Sequence, residues 1–282
     1  MFCINCGRQL PDEARFCAYC GKSLMQQTNL VDDFKGITIE VEEPTHERIN
    51  DTKKEIVSVG NANPDTPEGT YLFAKRFETG EDGFDRNLRK AFDLYVKAAK
   101  AGYDKAQFRL ACAYENSELN LKENYEKAYD WYLKAANNGN VEAMFILAES
   151  YNYEELDLEE DEDEAFEWYL KAAKNGHVDA QVIVAEAYEL ENLGVDEDEE
   201  EALEWYLKAA KNGHVEAMYK AGDMYYWMAR EIADETEDDD DEEFAVTDEE
   251  IECMENAKIW FKKAAECGHT QATRMLRQYF SR

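Results

Sequence analysis

Four of the chain's seven cysteines stand at a spacing that defines a chemistry. Cys3-Ile-Asn-Cys6-Gly7 and Cys17-Ala-Tyr-Cys20-Gly21 are two Cys-x2-Cys knuckles, each followed directly by glycine, with ten residues between Cys6 and Cys17. Two such turns can aim four thiolates at the corners of a tetrahedron, the geometry zinc adopts in structural sites. The glycines let each turn tighten so that backbone amides point at sulfur. A segment this short has too little apolar surface to fold by burial alone, and zinc–thiolate bonding of about 10–16 kcal/mol takes the place of a core. Cys3, Cys6, Cys17 and Cys20 are therefore the candidate ligands of one structural Zn2+ ion. Four sulfurs close the shell and leave no position for water, so no catalytic role follows. Disulfides, or iron held by the same four thiolates, are the alternatives; paired knuckles in a cytosolic chain read as metal sites.

Elsewhere the reactive side chains do not assemble into a known constellation. Cys112, Cys253 and Cys267 are scattered over helical segments and are expected to be buried small hydrophobes. His177, His214 and His269 each follow a glycine, one per repeat, too far apart to share a metal, and are expected to serve a turn. The acidic triplets Asp161-Glu162-Asp163 and Asp196-Glu197-Asp198 lack the glycine and the ligand order of an EF-hand loop. No nucleophile–base pair, phosphate loop or open metal site can be built from the motifs, so the chain is expected not to be an enzyme. Charge restricts the partners further. The chain carries 31 basic and 64 acidic residues for a net of −33. Residues 68–282 alone hold 24 and 53, a net of −29. Such a field repels phosphate and works against nucleic-acid binding, although Arg8, Arg15 and Lys22 leave the cysteine segment a local chance to touch RNA. The amino terminus lacks the basic stretch and apolar run of a signal peptide, and no stretch of about 18 apolar residues occurs, so a soluble, cytoplasmic protein with no membrane partner is expected.

The elements that would position any site come from a repeat. Glu-Trp-Tyr-Leu-Lys-Ala-Ala-Lys-Asn-Gly-His-Val occurs at 167–178 and again, unchanged, at 204–215. Related frames end at Gly102, Gly139, Gly176, Gly213 and Gly268, three spacings of 37 residues and one of 55. Within a unit Ala128, Tyr132, Ala135 and Ala136 share one stripe of a helix, called helix B here, which the glycine terminates. After each glycine a second amphipathic segment follows, helix A, in which Ala143, Leu147, Ala148 and Tyr151 share a face. Units of this kind cannot bury an apolar face alone and must stack. Five antiparallel pairs are expected, with a closing helix A at 272–282 as a polar cap. Residues 25–67, which hold Pro44, Pro64 and Pro67, form a flexible linker, within which Lys35–Val41 alternates and could make a short strand. Acidic runs at Glu154–Glu164, Asp196–Glu201 and Glu235–Glu243 recur between helix A and helix B and predict an acidic seam along one edge. Glu231–Glu250 holds thirteen acidic and no basic residues, the mark of a disordered segment or a frayed helix extension.

The pattern A-x4-A-x2-Y, a loop, then KA-x2-WY-x-KAA-x2-G-x3-A resembles the Sel-1-like repeat family, tetratricopeptide-related α/α solenoids, over residues 68–282. Residues 2–24, with Leu10, Phe16 and Leu24 as a small apolar complement, resemble the short zinc ribbon. The fold implied is all-α, an α/α superhelical solenoid of units at about 68–105, 106–142, 143–179, 180–216 and 217–271, preceded by a zinc ribbon at 1–24. Two departures stand out. The family's Gly-x-Gly-Val turn is missing from most units, and so are the paired cysteines of its secreted branch. That branch includes β-lactamase-like members, but no Ser-x-x-Lys occurs here.

The resemblance implies an adaptor or scaffold that holds a protein partner. By analogy with tetratricopeptide stacks, helix A lines a groove. Phe108, Phe145 and Tyr219 would face it, Cys112, Glu149, Glu186 and Asp223 would lie one turn along, and Tyr153, Tyr226 and Trp227 would stand near the rim. Aromatic rings and carboxylates together suit a segment carrying Lys or Arg, the rings taking the aliphatic stems and the carboxylates the charged heads. A plain inter-repeat core is the alternative use of those rings. At the level of the whole chain, the alternatives are a solenoid-based hydrolase and a nucleic-acid-binding ribbon regulated by an acidic solenoid.

Overall fold

The computed structural model describes residue 63 and residues 65–237 and 246–280. The four knuckle cysteines, the alternating segment at 35–41 and residues 238–245 of the acidic insertion lie outside the described residues.

Eleven helices are described: α1 (Pro67–Thr79), α2 (Leu88–Lys100), α3 (Asp104–Glu115), α4 (Tyr125–Asn137), α5 (Val141–Asn152), α6 (Glu162–Lys174), α7 (Val178–Leu190), α8 (Glu199–Lys211), α9 (Val215–Glu237), α10 (Asp248–Glu266) and α11 (Thr270–Tyr279). Odd-numbered helices are helix A, and even-numbered ones through α10 are helix B. Each packs on the next along the chain, so the layers build a solenoid, and no strand occurs among the described residues.

Local sequence sets the boundaries. Asn87, Asn124, Asp161, Asp198 and Thr247 cap the five B helices, each side chain accepting from the backbone N–H three residues on. This satisfies a donor left over by helix geometry. Much of the acidic seam then has a local cause: Glu162, Asp163 and Glu164, and likewise Glu199, Glu200 and Glu201, fill the first turns of α6 and α8, where the helix dipole favours negative charge. At the other end Gly102, Gly139, Gly176, Gly213 and Gly268 have φ of +86° to +92°, which L side chains rarely adopt. The next residue opens helix A. His177, His214 and His269 accept through Nδ1 from the N–H of Ala180, Ala217 and Ala272, as the side chain of Asn140 does from Ala143. The histidines are N-caps.

The core is repetitive. Tyr95, Tyr132, Tyr169 and Tyr206 are fully buried, with Phe261 in the fifth unit, and alanines at the helix crossings are closed off completely. On the outside of helix B a lysine lies over each tryptophan: Lys134 on Trp131, Lys171 on Trp168, Lys208 on Trp205 and Lys263 on Trp260, at 4.4, 4.0, 3.7 and 3.8 Å from the ring centres. Buried amides tie successive units together. Gln181 donates to Ala173 O and accepts from Asn212 Nδ2, and Gln107 does the same with Ala99 and Asn138.

Two details differ from the sequence expectation. The A-to-B connections lack the glycine pairs but keep left-handed geometry on other residues: Ser117, Leu119 and Asn120; Glu154, Leu156 and Asp157; then Glu191, Leu193 and Gly194. Leu119, Leu156 and Leu193 are 6%, 6% and 9% exposed, so each loop drives a leucine into the core. Burial of that side chain offsets the left-handed backbone. Among the cysteines Cys253 is buried, but Cys267 is exposed because it is the C-cap of α10, on the open turn where other units carry Asn138, Asn175 and Asn212. No described helix is long and apolar enough to cross a membrane.

Candidate functional site

Helix A presents two carboxylate positions per layer, and the sequence reading found only one of them. The position found is that of Glu149, Glu186 and Asp223, all half-buried. The missed one lies three residues further on, at Glu78, Glu115 and Glu189, where it meets the buried tyrosine of its own unit. Tyr95 donates its hydroxyl to Glu78, Tyr132 to Glu115 at 2.6 Å, and Tyr206 to Glu189. In the third unit that position is Asn152, and Tyr169 donates instead to Glu149. The signal was present: a glutamate 17 residues before the repeat tyrosine, in three of four units. In the fifth unit both partners change together, Phe261 having no hydroxyl to donate and Tyr226 replacing the carboxylate. Tyr226 therefore does not stand at an open rim. It is 8% exposed and packs on Tyr279 and Trp227 with ring centres 4.9 and 5.6 Å away, whereas Trp227 and Tyr153 are 62% and 63% exposed.

The aromatic residues of the expected groove are half-buried and engaged. Phe108 meets Tyr132 edge-on, Phe145 meets Tyr169 edge-on and stacks on His177 at 4.1 Å, and Tyr219 contacts Phe261 and His269. Phe145 and Tyr219 wedge between their own layer and the next. Unit four has Val182 at this position, and it is buried.

Cations occur at the two ends of the carboxylate row. Arg109 pairs with Glu78 of the preceding layer and with Glu118, and Lys220 reaches both oxygens of Glu189 at 2.8 and 2.9 Å. These are one repeat position, and between them it is occupied by Ile146 and Ile183. Glu115, Glu149 and Glu155 consequently make no salt bridge among the described residues, and Glu186 makes none although Lys220 acts on its carboxyl. Burial pushes the Glu115 carboxyl above its ordinary range, opposed by the Tyr132 hydroxyl and helped by Glu155. Glu155 rises through burial and then Glu149, while Glu186 and Asp223 rise through burial against the pull of Lys220. Beside Glu115, the Cys112 thiol is pushed up to about 11 by burial and is inert at neutral pH. No group of three or more metal-ligating side chains forms among the described residues.

The architecture defines the class, a helix-pair repeat protein. Four full repeats and part of a fifth, at 67–103, 104–140, 141–177, 178–214, 215–228 and 254–269, match the Sel1 repeat, and residues 2–24 match the zinc-ribbon domain. The chain belongs to the Sel1 repeat family, whose solenoids are typical of protein-interaction scaffolds, and carries a zinc-ribbon domain at its amino-terminal end. Among solved structures it is similar to a Sel1 repeat protein from Oxalobacter formigenes, with 22% identity, a TM-score of 0.55, and coverage of 84% of this chain and 89% of that one. It is also similar to a protective antigen of uropathogenic Escherichia coli strains that displays the same fold, with 23% identity and a TM-score of 0.52, covering 82% of this chain and about half, 51%, of that one. At these identities the likeness shows the fold alone. No curated protein matches the chain.

Proposed function

We propose that the protein is a non-catalytic adaptor whose helix A face takes a partner segment bearing lysine or arginine, and whose ribbon is folded by one zinc ion on Cys3, Cys6, Cys17 and Cys20. The observation that carries the reading is the charge register along the row: Arg109 and Lys220 act on its ends, Lys220 on Glu186 as well as Glu189, while Ile146 and Ile183 leave Glu115, Glu149 and Glu155 without a cation. These carboxylates are partly desolvated, which makes an incoming cation worth more than at an open surface. Half-buried Phe108 and Phe145 beside them would take the aliphatic stem of a lysine or arginine.

The test is affinity purification with the full chain and with a double variant, Glu149→Lys with Glu186→Lys. Proteins retained by the full chain and released by about 0.5 M salt, where exposed charges are screened within a few ångströms, should be missing from the variant. Recovery of the same proteins in the same amounts would end the reading.

A further inference from the structure

We infer that the seam between the fourth and fifth units is a second docking site, distinct from the helix A carboxylate row. It would take an apolar side chain of a partner segment flanked by lysine or arginine.

In the two preceding seams between one B helix and the following A helix, the space is filled by pairs of rings 22 residues apart. Tyr129 and Tyr151 meet with their hydroxyls 2.9 Å apart, and Phe166 meets Tyr188 edge-on at 5.6 Å. One repeat later the pair is Leu203 and Tyr225, so an aromatic ring has become a smaller side chain. A second break coincides with the first. At the register where Leu156 and Leu193 enter the core from a loop, the fifth unit is still helical, because α9 continues for 23 residues where α5 and α7 have 12 and 13. The result is a cavity of about 580 Å³ between α8, α9 and the start of α10. Its wall is apolar, made by Leu203, Leu207, Tyr225, Met228 and Ile232. Its rim is acidic, made by Glu199, Glu200, Glu204, Glu231 and Glu249, and no basic residue lines it.

The occupant follows from that combination. The volume lies within the range of small-ligand sites, and an apolar wall favours an apolar side chain. The rim selects its neighbours, since five carboxylates repel an acidic segment and attract a basic one. A second copy of this chain, at a net charge of −33, is disfavoured by the same field.

The test compares two fluorescein-labelled peptides, Lys-Lys-Phe-Leu-Lys-Lys and Lys-Lys-Ser-Ser-Lys-Lys, by anisotropy against the full chain in about 0.15 M salt. The Phe-Leu peptide should bind about tenfold more tightly, the effect of burying one apolar side chain. Leu203→Phe restores the ring found at Phe166 and should abolish that difference while leaving the Ser-Ser peptide unchanged. Ile232→Trp fills the cavity from its other wall and should act alike. Glu231→Lys should weaken both peptides. Equal affinity of the two peptides, or an undiminished preference in both filled variants, would overturn the inference. So would a dimer in sedimentation that Leu203→Phe converts to monomer, which assigns the cavity to a second copy. The variant Glu149→Lys with Glu186→Lys should keep the Phe-Leu preference. Its loss there but not in the filled variants would place the preference on the helix A face, sinking this site and leaving the adaptor reading intact.

Discussion

At the residue scale, the hydroxyl–carboxylate contact ties helix A of a unit to its helix B. Tyr206 is fully buried and its hydroxyl is held protonated by burial and by Glu189. Tyr206→Phe should cost about 1.5–3 kcal/mol in urea unfolding, the value of a hydrogen bond to a charged group. Lys220 still satisfies Glu189 in that variant, so the lower end is expected. Phe261 shows that the repeat tolerates the missing hydroxyl where the carboxylate is missing too. The metal ligands make an independent prediction: Cys17→Ser should reduce bound zinc from one ion per chain to none in a colorimetric release assay, because three thiolates leave the tetrahedral shell open. The helical signal of the solenoid should be retained, since the repeat units supply one another's buried tyrosines and alanines.

At the element scale, caps and buried amides decide where one unit ends and the next begins. Gln181 fills its amide with Ala173 O and Asn212 Nδ2 at 5% exposure. Gln181→Leu would strand a carbonyl and an amide, and should cost about 1–3 kcal/mol by denaturant titration. Asp198→Ala removes the α8 cap and should cost about 1 kcal/mol. Asn120 and Asp157 stand where Gly194 stands, all with positive φ. Asn120→Gly should therefore be neutral or slightly stabilising, whereas alanine there should destabilise. How much of this was legible in the sequence differs by feature. Helix pairs, their order and the terminating glycines were readable because apolar spacing and glycine are local signals. The left-handed loops were not, since nothing in Ser117, Leu119 or Asn120 announces positive φ; burial of the leucine imposes it. The second carboxylate position was written in the sequence, but only a comparison between units shows it, because a Glu–Tyr contact across 17 residues has no local period.

At the scale of the whole molecule, the solenoid is a strongly charged object in which several partly desolvated carboxyls favour the proton. Glu115, Glu155, Glu186 and Asp223 are all raised above their ordinary values, chiefly by burial. Between the ordinary carboxyl value of about 4 and the raised native values, the folded state binds more protons than the unfolded one, so stability falls as pH rises through that window. Glu142 acts the other way, lowered by its hydrogen bond to His177, and its contribution is lost as pH falls; its exposed position makes that loss small. Self-repulsion at a net of −33 adds to the first trend. The melting temperature should therefore rise as pH is lowered from 7 to about 5, and added salt should raise it more at pH 7 than at pH 5. If the temperature instead declined steadily over that range, carboxyls lowered by a partner, as Glu142 is by His177, would outweigh the desolvated ones. The row's carboxylates would then already be held charged by their surroundings, and an incoming cation would gain less from meeting them. The same titration run with a lysine-rich peptide separates the two contributions: a cation bound to the row should lower those carboxyls and flatten the acid side of the curve.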